Sequence, residues 1–445
     1  MSPANNEKKI HANPSKDFFV TMITRDISLS DCIFDLLDNS IDGARRLVQE
    51  RGGQNGNLDG FCAKIEFGID HFSITDNCGG ITLSDAIDYA FHFGRRRDAP
   101  VDVSRGIGLY GIGMKRAIFK IGRSAIIESE TAADSFSVMV NVDEWEKVDN
   151  DWDFDYQEKD RSGQEGTTVR IKQLHPGIAN AFNDPTFRNA LAMAVARDYS
   201  FFISSGFEIQ VGGMKVPSYS YELREGGELT PASLNFEDDG VNVRIVAGLV
   251  DDLPDEIPSE LRPDKVDRYG WFVVCNDRVV LAADKTERTI WGVDGYKVWH
   301  PQYNGFAGFV FFSCDDPKKL PWTTTKREVD TADPLYRRTV GRMKEITDEF
   351  ISYTNRRKAD VESAKAAEQG NKSIRVAELT VPKTMAFPKL VSEENKGKAE
   401  IVTISYQKPR SEVDEIKDSC GNWNMSAKDV GRITFEYYRK MELGK

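Results

Sequence analysis

Between residues 27 and 51, apolar side chains recur at Ile33, Leu37, Ile41, Ala44 and Val48, in steps of four, four, three and four, which predicts an amphipathic helix. Two short alternating runs follow, AKIEFGI near 63–69 and FSITD at 72–76. They predict strands, the second meeting a turn at Asp76 before Gly79 and Gly80. LSDAIDYAFHF has a helical pattern and leads into an arginine- and glycine-rich stretch, GRRRDAPVDVSRGIGLYGIG, which reads as a lid and opens a further helix at MKRAIFKI. The runs SAIIESE, SFSVMVNV and GTTVRIKQL predict more strands, so residues 1–210 read as an α/β domain with a mixed sheet behind a polar N-terminal arm.

From 211 to 333 the pattern is mostly strand-like (VNVRIVAGLV, GWFVVCNDRVV, GFAGFVFFSC) with Pro, Asp and Gly turns, which predicts a second, α+β domain. Residues 334–368 suit a long exit helix, with Leu335, Val340, Met343, Ile346, Phe350 and Tyr353 mainly three and four apart. Residues 369–399 have little periodicity and read as a linker. Over 400–445 the alternation in EIVTISYQ predicts a strand, and two helical patterns follow around a Gly-Asn turn.

With 445 residues, 40% of them apolar, the chain is long enough for two to four domains at roughly 100–200 residues each. A net charge of −12 excludes a wholly basic surface that coats nucleic acid or anionic lipid, though not a local basic patch. The longest apolar stretches, such as Phe306 to Phe312, fall far short of the ~20 residues of a membrane helix, so no membrane association is expected. The first residues carry lysines with no apolar run behind them, and a cytoplasmic protein is the expectation. The six cysteines are widely separated and read as reduced packing residues. The five histidines form no ligand set, which argues against a structural metal and against His-based nucleophilic chemistry.

The chemistry concentrates in four places. Asp35, Asp38, Asn39 and Asp42 stand at i, i+3, i+4 and i+7, which puts three carboxylates and an amide on one face of the first helix. Alone, that face is as well explained as a solvated acidic surface. Asp76 at a strand end before Gly79-Gly80, the glycines Gly106, Gly108, Gly111 and Gly113 before a helix, and Gly166-Thr167 before a strand complete an ordered set.

In that set the sequence resembles the GHKL (Bergerat-fold) ATP-binding superfamily, which includes gyrase, MutL, MORC proteins, heat-shock chaperones and sensor kinases. DLLDNSIDGA resembles the first signature, DNCGGI the second, GLYGIGMK the lid signature and GTTVRI the last. The resemblance implies an ATP-binding sandwich in which Asn39 coordinates Mg²⁺, Asp35 activates water, and Asp76 accepts the adenine amino proton with Gly80 nearby. Asp42 and Gly108 join the nucleotide-binding set. Gly111 and Gly113 would let backbone N–H groups approach the phosphates, and Thr168 would serve the adenine end. Two departures stand out: Asp35 is one methylene shorter than the usual Glu, which implies slow hydrolysis, and Cys78 stands where glycine is usual.

WFVVCNDRVV is similar to the strand and turn of the transducer domain of MutL and its relatives. PWTTTKREVD puts Lys326 in a loop like the one whose lysine contacts the γ-phosphate, although a lysine taken alone is more often a surface residue. Over residues 16–345 the best resemblance is to MutL and prokaryotic MORC-like proteins. It implies a homodimeric, nucleotide-gated clamp in DNA transactions or antiviral defence, with any cutting left to a partner nuclease. A protein-remodelling chaperone and a weakly hydrolysing switch that regulates a partner enzyme are the alternatives. Residues 400–445 resemble a ribbon-helix-helix module, with Thr403, Ser405 and Gln407 facing DNA; a packing or dimerisation appendage fits equally well.

Overall fold

The computed structural model describes residues 14–53, 56–94, 105–108, 111–148, 151–250, 267–358, 361–388 and 404–443. Most of the polar arm, the middle of the expected lid, the end of the expected linker and the start of the C-terminal strand lie outside these residues. The chain divides into two compact units, residues 1–390 and 391–445.

The larger unit begins with α1 (Lys16–Arg25) and α2 (Leu29–Glu50). Each starts on a serine: the Ser15 side chain accepts from the Phe18 amide and Ser28 from the Asp31 amide, satisfying donors that a first turn leaves free. An eight-stranded sheet follows, made of β1 (Cys62–Phe67), β2 (His71–Asp76), β3 (Gly122–Glu130), β4 (Ser135–Asn141), β5 (Tyr156–Glu158), β6 (Gly166–Leu174), β7 (Glu208–Val211) and β8 (Met214–Lys215). Their order is β5-β4-β3-β6-β2-β1-β7-β8, with β1 and β7 parallel. The sheet thus runs past the expected boundary at 210. Because β6 pairs with β2, Thr168 lies opposite Thr75, and the start of β6 comes beside Asp76. α2 and α3 (Gly113–Ile121) cover the sheet: Ile33, Leu37, Ile41, Ala44, Ala117, Ile118 and Ile121 share one core with Ala63, Ile65, Phe72 and Ile171. Each large side chain buried there contributes about 1.5–3 kcal/mol.

A second sheet contains β10 (Ala232–Asp238), β11 (Val241–Leu249), β12 (Gly270–Cys275), β13 (Arg278–Asp284) and β14 (Phe306–Ser313), in the order β10-β11-β14-β12-β13. Every residue of β12 is buried, as suits a continuous apolar run flanked by strands on both sides. Asn276 and Asp277, with φ of 47° and 68°, form the two-residue turn into β13, and positive φ at both central positions is what a type I′ hairpin requires. The fold is therefore mixed α/β: a large sheet with helices, followed by a further α+β domain.

Two expectations are corrected here. The exit helix is broken into α5 (Pro334–Arg357), capped by Asp333, and a shorter helix, Val361–Glu368. The described part of the stretch read as a linker, residues 369–388, is built into the second domain. Its β15 (Lys372–Arg375) pairs antiparallel with β9 (Glu222–Glu225), and Val376 and Leu379 are buried with Leu223, Val246 and Phe309. Such a short edge strand, with Lys372, Ser373 and Arg375 exposed, leaves no periodicity to detect. A run of helices at Pro176–Asn183, Pro185–Asp198 (α4) and Ser200–Ser204 also went unanticipated, its pattern being interrupted by prolines at helix starts.

In the smaller unit, α6 (Arg410–Ser419) and α7 (Ala427–Glu442) flank a turn in which Gly421 has φ 65°. Ser426 caps α7 through the Asp429 amide. The expected strand is not formed over Ile404–Pro409, and its earlier residues, Thr403 included, lie outside the described ones. A strand with no neighbour in its own chain leaves its backbone groups unpaired and does not hold by itself.

Candidate functional site

A cleft of about 410 Å³ lies between α2, the end of β2, the lid stem at Gly106–Gly108, the start of α3 and the loop that carries Lys326. Its size suits a small-molecule ligand. From α2 it receives Asp35, Asn39, Asp42, Gly43 and Arg46, a stripe at helical spacing. Asp38 is not on that stripe. It sits at the edge of the stripe, buried outside the cleft lining, on a helix that is buried nearly all round.

At one end of the cleft, the Asp76 carboxylate accepts from Ser40 Oγ (2.7 Å), the Cys78 amide (2.9 Å) and the Thr167 amide (3.2 Å). Burial raises its pKa, while these donors and the nearby Arg46 pull it down. The carboxylate is thereby fixed in direction and keeps lone pairs for a further donor. Cys78 is accommodated in place of glycine because the positive φ values fall on Gly79 (85°) and Gly80 (68°). Gly80 is sterically required: a Cβ there would lie 2.3 Å from the Glu130 carbonyl oxygen. Arg46 Nη2 holds the Gly80 carbonyl at 2.6 Å.

At the other end, cations converge on Asp35. Arg116, from α3, donates to Asp35 Oδ2, and Lys326 Nζ lies 3.4 Å from Oδ1. Lys326 also donates to Asp38 Oδ2 at 2.7 Å. Asp38 further accepts from the Tyr199 hydroxyl at 2.7 Å and faces Arg278 Nε at 3.4 Å. Burial pushes the Asp38 pKa up, but Lys326 and Arg278 more than offset it and hold the carboxylate below its usual range. Burial likewise lowers the Lys326 pKa, yet Asp38 and Asp35 raise it above the ordinary value, so a buried lysine stays charged. Lys326 is only 5% exposed and adopts φ 54°, a left-handed conformation that costs a side-chain-bearing residue roughly 1–2 kcal/mol. Strain of this kind persists where the surrounding contacts fix it.

The lid stem is pinned from α2. Asp42 Oδ1 accepts from the Ile107 amide at 2.8 Å and Oδ2 from the Gly108 amide at 2.6 Å. Asp42 lines the cleft, but both its oxygens are committed to the stem. Gly111, with φ 64°, and Gly113 border the cleft beyond it. A Cβ on Gly113 would lie 3.0 Å from Asp35 Cβ, so glycine there lets α3 approach the carboxylate. Lys115 is 2% exposed, donates to the Ala90 carbonyl at 2.8 Å and to that of Gly111, and burial lowers its pKa to about 7.

Of the expected site residues, Asp35, Asn39, Asp42, Asp76, Gly80, Gly108, Gly111, Gly113 and Lys326 all border the cleft. Thr168 does not. Its hydroxyl bonds Thr75 Oγ1 at 3.2 Å on the other face of β6, while Thr167 and Val169 face the cleft. The error is one residue, and in a strand one residue changes the face. Sequence reasoning missed Ser40, Lys115, Arg116, Tyr199 and Arg278. Ser40, Lys115 and Arg278 lie inside the quoted runs DLLDNSIDGA, GLYGIGMK and WFVVCNDRVV, and Arg116 directly follows the second; Tyr199 comes from a distant segment that carries no local signal.

Residues 27–170 match the family model described as histidine kinase-, DNA gyrase B- and HSP90-like ATPase. The match takes in α2, the Asp76 turn, the lid stem, α3 and the start of β6, and it supports ATP binding by this domain. No curated protein matches the chain. Among the described residues no helix is long and apolar enough to cross a membrane.

Proposed function

We propose that the chain binds Mg-ATP in this cleft and hydrolyses it slowly, with Asp35 as the water-activating base. The observation that carries the reading is the polarity of the cleft: a directed carboxylate acceptor, Asp76, at one end, and Lys115, Arg116 and Lys326 at the other. An adenine amino group suits the first and a triphosphate the second. The exposed Asn39 amide stands between them, on the same stripe as Asp35. Among the described residues no group of three or more His, Cys, Asp or Glu is placed to hold a metal, so Mg²⁺ would be held by Asn39, phosphate oxygens and water, a pattern common for this ion. It would neutralise charge on the phosphates.

A terminal phosphate competes with Asp35 and Asp38 for Lys326. Drawing Lys326 and Arg116 towards phosphate leaves Asp35 freer to accept a proton from water, so nucleotide contact and base activation are linked. A switch that holds ATP with little turnover is a second reading, favoured by the short Asp35 side chain and by its two cationic partners. On the resemblance of the β12–β13 hairpin and the Lys326 loop to MutL and MORC-like proteins, we further propose a homodimeric clamp that acts on DNA, including in antiviral defence, alongside a partner effector. One experiment separates these readings: ATPase activity and oligomeric state of the full chain, with and without duplex DNA. DNA-stimulated turnover and ATP-dependent dimerisation support the clamp. Tight ATP binding without turnover supports the switch, and no Mg-ATP binding contradicts both.

A further inference from the structure

A second cavity, of about 510 Å³, opens on the second sheet where it meets the lid stem. The register of β11 against β14 pairs Arg244 with Phe311 and Asn242 with Ser313, which puts these four side chains on one face. The Arg244 guanidinium lies 4.1 Å over the Phe311 ring, and its Nη1 donates to the Val376 and Leu379 carbonyls at 3.2 and 3.3 Å; stacking and these bonds together fix its plane. Arg105 enters from the stem: its Nη2 donates to Ser313 Oγ at 3.1 Å and lies 3.3 Å from Asp277 Oδ2. Its Nε is buried and makes no hydrogen bond among the described residues. Asp277 is the one carboxylate among the described lining residues, and it is already engaged by Arg45 at 2.7 Å. Glu237, opposite Asn242 on β10, is exposed and does not line the cavity. Two guanidiniums therefore share a roomy cavity with one carboxylate that a third guanidinium also holds.

We propose that this cavity binds a phosphorylated small molecule, whose phosphoryl group bridges Arg105 and Arg244, at a site separate from the cleft. Guanidinium forks match phosphate oxygens in pairs, and Asn242 and Ser313 offer neutral polar contacts beside them. The cavity volume suits a nucleotide-sized ligand. Occupancy is coupled to the cleft through the stem. The Arg105 carbonyl accepts from Arg45 Nη1 at 2.6 Å, the Gly106 carbonyl accepts from Asn276 Nδ2 at 3.0 Å, and the next two amides are held by Asp42. A ligand that draws Arg105 from Asp277 acts on a segment pinned between α2 and the second domain. This coupling rests on the ATP reading of the cleft; the binding itself does not.

The test is calorimetric titration of the full chain with inorganic pyrophosphate, with AMP and with a short DNA oligonucleotide, each with and without a saturating non-hydrolysable ATP analogue. The expected result is binding of pyrophosphate or AMP that survives the analogue and weakens at least about tenfold in Arg105→Gln and in Asn242→Asp. Asn242→Asp sets a carboxylate at an exposed position without changing volume, and an unchanged melting temperature shows that its fold is intact. No binding at millimolar probe, equal affinity in both variants, or one-for-one displacement by the analogue overturns the proposal. Binding of the oligonucleotide alone overturns the small-molecule assignment. If the analogue itself fails to bind, the ATP reading fails, and pyrophosphate titration of Asn242→Asp still decides this site.

Discussion

The ammonium of Lys326 lies 2.7 Å from the Asp38 carboxylate, and the two residues are 288 positions apart in the chain. The pair ties the helix beneath the cleft to the loop after β14, and Tyr199 and Arg278 close over it. One cation thus faces both Asp35, which lines the cleft, and Asp38, which is buried outside it. A cleft ligand that attracts Lys326 must loosen this tie, and this gives nucleotide binding a route to the second domain.

Removing one partner of a buried ion pair leaves the other uncompensated, at a cost of about 3–5 kcal/mol. Lys326→Met should therefore lower the unfolding free energy in urea by that order, and adding Asp38→Asn should recover part of the loss, a sub-additive cycle. The pH dependence follows from the shifts. Asp38 is depressed, so its contribution is complete above the unfolded value of ~3.9 and is lost as pH falls through its lower folded value. Lys326 is raised, so its contribution is complete below ~10.4 and is lost as pH rises through its higher folded value. Lys326→Met should lack the alkaline limb and keep only the part of the acid limb that Arg278 and Tyr199 sustain.

Asp76→Ala removes the directed acceptor and leaves Ser40 Oγ and the Thr167 amide without it. ATP affinity measured by fluorescence or calorimetry should fall by at least about tenfold, in line with 1–3 kcal/mol for a buried polar contact.

The register of β6 makes a sharper discrimination. Thr167→Val alters a side chain that faces the cleft and should weaken ATP binding several-fold, whereas Thr168→Val removes a hydroxyl that bonds Thr75 away from the cleft and should leave it unchanged. The reverse order contradicts the observed alternation.

These contrasts mark how far the sequence could be read. α2, the Asp76 turn, the lid stem and β6 were legible because helical spacing, strand alternation and the glycine positions agreed locally. The orientation of Asp38 was not, because its partners Lys326, Tyr199 and Arg278 arrive through tertiary packing. Thr168 failed by one residue, since GTT offers two equivalent threonines and only the pairing with β2 selects between their faces. Residues 372–386 were missed because their order comes from an edge strand and from Val376 and Leu379 docking into an existing core, neither of which leaves a period.

Lys115 supplies a pH test of ATP binding. Burial lowers its pKa to about 7, so its charge is progressively lost above neutrality. A phosphate group nearby favours the ammonium, so ATP binding should take up a proton above pH 7, and affinity should decline from pH 7 to 9. Calorimetry in buffers of different ionisation enthalpy measures the uptake directly, and Lys115→Met should abolish it.

The central claim, that Asp35 activates water for ATP hydrolysis, is tested most directly by single-turnover hydrolysis of Mg-ATP alongside ATP binding in wild type and Asp35→Asn. The account predicts that the variant retains ATP affinity within a few-fold while its rate falls by ~10²–10⁴, the range of general-base catalysis. A variant that binds ATP and hydrolyses it at the wild-type rate contradicts it.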